Sequence, residues 1–116
     1  MIAVYGIVNC DTVKKARRWL DAGGIEHRFH DLRRDGLPPA RLDAWIAALG
    51  WEALLNRKGT TWRALDAVQR EAVNDAASAR ALMLARPTLI RRPVIDWPDG
   101  TSVGFDPPRY ATLRPR

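Results

Sequence analysis

The chain has 116 residues, 47% of them apolar and five of them tryptophan, which fits one folded domain that buries roughly 65% of its unfolded surface. No apolar run approaches the ~20 residues of a membrane span, the opening MIAVYGIV lacks the basic start and apolar length of a signal peptide, and a single cysteine, Cys10, excludes an internal disulfide. The net charge of +6 comes from 16 Arg and 3 Lys against 13 acidic residues. The cations (Arg17, Arg34, Arg63, Arg80, Arg92, Arg116) are scattered and not interleaved with aromatics, so small anions are expected as ligands before nucleic acid.

Ile2 to Ile7 reads as a buried strand, apolar and rich in β-branched residues, closed by turn-prone Asn9. From Asp11 the period changes to helical: Val13, Ala16 and Leu20 share a face, Lys14, Lys15, Arg17 and Arg18 lie mainly on the others, and Gly23-Gly24 stops the helix. A second strand is predicted over His27 to Leu32, ending at the RRDG turn, which makes a β-α-β start.

The middle is predicted helical. LPPARLDAWIAALG has prolines at a helix start, Gly50 at its end, and an amphipathic stripe of Leu42, Trp45, Ile46 and Leu49. Trp51 to Asn56 leads into RKGTTWRAL, where Gly59-Thr60-Thr61 predicts a loop followed by an N-cap, and helix continues with breaks to Arg86. Beyond Pro87, TLIRRPVIDWPDGTSVGF predicts a hairpin turning at Pro98-Asp99-Gly100, and DPPRYATLRPR a short helix with a frayed tail. The order is β-α-β, helices, then β-β-α. That is an α/β, thioredoxin-like arrangement: a single domain over 1–116 with a helical insertion at about 38–86.

Cys10 stands where the first strand gives way to the first helix. Unpaired N–H groups and the positive end of the helix dipole favour a thiolate there, and comparable sites lower a cysteine pKa from ~8.5 to between ~3.5 and ~7.5. Lys14 pushes the same way, and Asp11 opposes it. Lone cysteines commonly pack as small hydrophobes, but the polar neighbours Asn9, Asp11 and Thr12 argue for a reactive thiol here. Three residues on, where a CxxC motif has its second cysteine, stands Val13, so a covalent intermediate on Cys10 must be released by an external thiol. No Cys/His spacing suggests zinc, so no metal is expected, and a free thiol fits a reducing, cytoplasmic setting.

Three stretches, YGIVNCDTVKKARRWL, LLNRKGTTWRAL and RPTLIRRPVI, occur in the order found in the arsenate reductase (ArsC) family, and the chain resembles most its small YffB-type branch, related to the regulator Spx. The resemblance covers nearly the whole chain and implies the same thioredoxin-like fold. It implies Cys10 as the nucleophile, Arg57 and Arg92 as anion-clamp arginines, and Pro93 as a cis-proline facing the cysteine. Asn9 and Thr12 join these as the expected substrate- and glutathione-binding set. Arginine suits such a clamp because its fork holds oxyanions or carboxylates bidentately while staying charged.

Two departures stand out. The histidine that arsenate reductases of this type carry four residues before the nucleophile is replaced by Gly6, and only Arg109 offers itself as a third clamp arginine. His27 and His30 fall on the second strand and are expected to be structural. Arg91 is expected to point away from Arg92 by strand alternation. The function implied is a glutathione-dependent thiol reductase with no bound cofactor, glutathione as co-substrate, glutathione or glutaredoxin as partner and a small anionic substrate, with arsenate as a variant. The alternative is an Spx-like regulatory protein docking on RNA polymerase or another protein.

Overall fold

Ile2–Gly6 forms β1, with all five residues buried, as the apolar run predicts. The chain's computed structural model describes residues 1–115; Arg116 lies outside the described residues. These group into two compact units: residues 1–35 with the segment from 92 on, and residues 36–91. The stretch expected as a helical insertion at about 38–86 falls within the second.

In the first unit β1 pairs in parallel with β2 (His27–Asp31), in register from Ile2 opposite His27 to Gly6 opposite Asp31. On its other side β1 runs antiparallel to β3 (Val94–Trp97), with Tyr5 opposite Val94, and β3 pairs antiparallel with β4 (Gly100–Val103). The sheet order is β2-β1-β3-β4. A parallel neighbour needs a crossover, and α1 (Asp11–Ala22) supplies it. Gly24, at φ 67°, takes the left-handed turn that ends it. The hairpin is shorter than predicted. Pro93 has no N–H to give a ladder, so β3 starts after it, and Pro87–Leu89 is a 3-10 turn.

Helix α1 buries Val13, Ala16 and Leu20, and the terminal helix, Pro107–Leu113, buries Tyr110 and Leu113. With Ile2, Val4, Ile95 and Trp97, most of these form one core cluster. Tyr110 is its hub, with ring centroids 5.3 Å from Trp19 and 5.2 Å from Trp97. Burial pushes its phenol well above the usual range, so the neutral hydroxyl donates to the Gly104 carbonyl. The indole N–H of Trp97 is likewise satisfied, by Ser102 Oγ at 2.9 Å.

The second unit holds five helices among its described residues: α2 (Pro39–Leu49), α3 (Trp51–Leu54), α4 (Thr60–Ala64), α5 (Ala67–Glu71) and α6 (Ala76–Ala85). Pro107–Leu113 is α7. Pro39 sits in the first turn of α2, and Gly50 ends it at φ 83°. Of the predicted stripe, Leu42 and Trp45 are buried, while Ile46 and Leu49 are half-buried. No threonine caps α4: it already begins at Thr60 with Gly59 as N-cap, and Thr61 Oγ1 meets Thr88 Oγ1 at 3.1 Å instead. Side-chain caps appear further on, as capping boxes at Asp66 with Gln69 and Asp75 with Ser78. An isolated antiparallel bridge between Leu55 and Ile90 ties the residue after α3 to the end of the unit. No helix among the described residues is long and apolar enough to cross a membrane.

Candidate active site

Cys10 is the N-cap of α1, in extended conformation at φ −129° and ψ 118°. Its carbonyl accepts the Lys14 N–H at 3.0 Å, closing the first helical turn, while its side chain makes no capping hydrogen bond. The thiol is therefore left at a helix start whose first N–H groups lack intrahelical partners, and the residue is half-buried. Asn9, Asp11 and Thr12 around it are exposed. The polar bracket read from the sequence is a solvent-facing rim.

The Arg92–Pro93 peptide bond is cis. Tyr5, near the end of β1, lies opposite Val94, the first residue of β3. The exit of β1 toward Cys10 and the entry of Arg92-Pro93 into β3 thus share one end of the sheet. Pro93 is buried, its carbonyl accepting the Gly104 N–H at 2.9 Å, and Arg92 is half-buried. Arg91 is exposed and donates its N–H to Leu54 O at 2.7 Å. Both arginines precede β3, so strand alternation does not govern them as expected.

Gly6 closes β1 where arsenate reductases of the resembling type place histidine. A Cβ on Gly6 falls 2.7 Å from Val13 Cγ2 and 3.5 Å from Phe29 Cε1. The space a histidine needs is filled by the first buried side chain of α1.

Arg57 belongs to the second unit. It is exposed, with its guanidinium 5.6 Å from the Trp51 ring centre and 5.9 Å from that of Trp62. Asn56 Oδ1 accepts the Lys58 N–H at 3.0 Å, an Asx-type turn that shapes this loop. The described structure thus gathers Asn9, Cys10, Thr12, Arg92 and Pro93 in one unit, and carries Arg57 on the other.

Arg109 does not extend the clamp. Its Nη2 lies 3.8 Å from a Cβ built at Gly100, and Gly100 pairs with Trp97, the last residue of β3. That is the sheet end opposite Cys10, because α7 packs where the β3–β4 hairpin turns. The histidines sit on β2 in packing roles: His27 Nδ1 is 3.0 Å from Ile25 O, and the His30 ring is 4.9 Å from that of Tyr5.

Asp31, at the end of β2, escaped the reading of the sequence. It is 4% exposed. Burial raises its carboxyl, but N–H donation from Arg34, Arg33 and Val8 outweighs that and holds it below the usual carboxylate range. One carboxylate thus ties the loop before Cys10, through Val8, to the turn after β2, where Oδ1 receives Arg33 N–H at 2.8 Å and Arg34 N–H at 3.1 Å. The signal was local: an aspartate at the end of a strand, just before the Arg33-Arg34-Asp35-Gly36 turn, is placed for an Asx-turn.

Fold and site define a class: a thioredoxin-like α/β protein with one cysteine at the start of its first helix and a cis-proline at the same sheet end. The chain belongs to the ArsC family, whose profile matches residues 5–113. It is 45% identical to the YffB (PA3664) protein, with a TM-score of 0.92 over 99% of this chain and 100% of that one. It is 49% identical to an arsenate reductase (ArsC) related protein from Brucella melitensis, with a TM-score of 0.74 over 96% and 92% of the two chains. It is also 44% identical to an uncharacterized protein of Haemophilus influenzae over 110 residues, 95% of this chain and 96% of that protein.

Proposed function

We propose that this protein is a cytoplasmic oxidoreductase, a glutathione-dependent thiol reductase with Cys10 as its single catalytic cysteine. The observation that carries the reading is the Cys10 side chain left uncapped at the start of a twelve-residue helix, at the sheet end that also holds Arg92 and cis-Pro93. Family membership supports the thiol chemistry. The filled space at Gly6 favours disulfide over arsenate as the oxidised substrate, since the chain supplies no histidine at that position.

In the proposed cycle the Cys10 thiolate attacks one sulfur of a disulfide substrate. A new S–S bond forms to Cys10 and the other half leaves as a thiolate. The chain has no second cysteine to displace the adduct, so glutathione, or a glutaredoxin, attacks the mixed disulfide and frees Cys10. Arg92 holds a carboxylate of glutathione or of another small anionic substrate by its bidentate fork, and Arg57 offers a second such fork on the helical unit. No bound cofactor takes part.

The test is incubation of the folded protein with glutathione disulfide, followed by intact mass and by recovery of the free thiol on adding glutathione. One glutathione adduct per chain, released by excess glutathione and absent in Cys10→Ser, is expected. Absence of any adduct on the native protein overturns the reading and favours a docking protein of the Spx type.

A further inference from the structure

Between the loop that ends β1 and the turn that ends β2 lies a cleft of about 470 Å³, lined by Ile7, Val8, Asn9, Asp31, Arg33 and Arg34. Its lining ends at Asn9, the residue before Cys10. The charges in it are not equivalent. Asp31 is occupied by the three backbone N–H groups already described. Arg34 is engaged by Asp35, outside the lining, Nε to Oδ1 at 3.1 Å and Nη2 to Oδ2 at 3.2 Å, and Asp35 also accepts the Asp31 N–H at 3.0 Å. Arg33 is different: its backbone N–H serves Asp31, while its exposed guanidinium has no ion pair or hydrogen bond among the described residues. The Asn9 amide is exposed in the same way. Val8 adds an apolar wall, 52% exposed although it is a large aliphatic residue.

We propose that this cleft is a carboxylate subsite for a peptidic disulfide: the Arg33 guanidinium and the Asn9 amide hold a carboxylate of the substrate, Val8 covers its aliphatic stem, and the scissile sulfur is delivered to Cys10. The proposal rests on the thiol-reductase reading and adds a contact for a further carboxylate of the disulfide, beyond the arginines that reading names. A guanidinium fork and an amide N–H match the two oxygens of a carboxylate, the anion a peptidic disulfide carries. Asp31 acts here as a positioning residue, since it fixes both lips of the cleft through their backbone. The step itself is the exchange already given: Cys10 gains the S–S bond to one glutathione and the second glutathione leaves as its thiolate.

The experiment compares two disulfides on the native protein. Glutathione disulfide carries carboxylates; bis(2-hydroxyethyl) disulfide carries none and reports Cys10 alone. The ratio of their adduct-forming rates is measured for the wild type, Arg33→Gln and Arg33→Lys. The ratio is expected to fall about tenfold in Arg33→Gln, the effect of one lost charge-assisted contact, and to recover in part in Arg33→Lys. Because Arg33 is exposed, unchanged thermal unfolding accompanies the expected result. A wild-type ratio retained by Arg33→Gln, with adduct formation intact, overturns the subsite and leaves the reductase reading standing. If the wild type forms no adduct with either disulfide, the reading fails and the subsite with it.

Discussion

In the sheet-bearing unit the candidate site depends on residues far apart in the chain. Cys10 follows β1, whose last residue faces Asp31 of β2 and whose other edge meets the start of β3 at Val94. In the helical unit Arg57 depends on its own loop, with the Trp51 and Trp62 ring centres 5.6 and 5.9 Å from its guanidinium and the Asn56 turn next to it in the chain. The first arrangement is specified by register, so one displaced side chain is felt at several elements. The second is specified by local sequence, so its parts are replaced at small cost. A thiol that must meet an entering proline segment needs the first kind of support; an exposed guanidinium manages with the second.

Three substitutions press on that contrast. The largest effect is expected at Gly6, where a side chain collides with Val13. Gly6→His is expected to lose about 3 kcal/mol of unfolding free energy by overpacking. In a double-mutant cycle Val13→Ala is expected to relieve part of it, read by urea unfolding. Additive losses would mean that the collision is not the cause.

Asp31→Asn comes next, expected to cost about 2 kcal/mol because an amide accepts three N–H groups less well than a carboxylate. The sign of its pH dependence follows from the lowered pKa. The folded carboxyl sits below the unfolded value of ~3.9, so its stabilisation is complete above that value and is lost as pH falls through the folded value. The difference in stability between wild type and Asp31→Asn is therefore expected to shrink on acidification below about pH 4, as thermal melts across that range would show.

The smallest effect belongs to the local arrangement. Arg57→Ala is expected to cost about 1 kcal/mol, the worth of exposed cation–π contacts, with a change in tryptophan emission as its marker. A loss as large as that at Gly6 would show that Arg57 is also fixed from elsewhere.

Much of the molecule was legible in its residues. The sheet's strands, the first helix, the prolines opening α2 and α7, the glycines ending α1 and α2, and the cysteine at a strand-to-helix junction all follow from short-range patterns. Two places were harder to read. The N-cap of α4 was misplaced because Gly59 and two threonines offer competing starts within a few residues. Arg109 stayed a loose candidate in the sequence, which does not say at which end of a sheet a terminal helix lies; its place by Gly100 sets it at the end away from Cys10.

What the sequence alone determined is what depends on neighbours within a turn or two: periodicity, breakers, the absence of a second thiol and the helix start at Cys10. Tertiary structure alone decided the rest. It packed Val13 into the place of a Gly6 side chain, set the Arg92-Pro93 segment beside the exit of β1, sent Arg109 to the far end of the sheet and made Asp31 the tie between two loops. Each of these turns on strand register and helix packing, which bring together groups whose separation along the chain carries no trace of their distance in space.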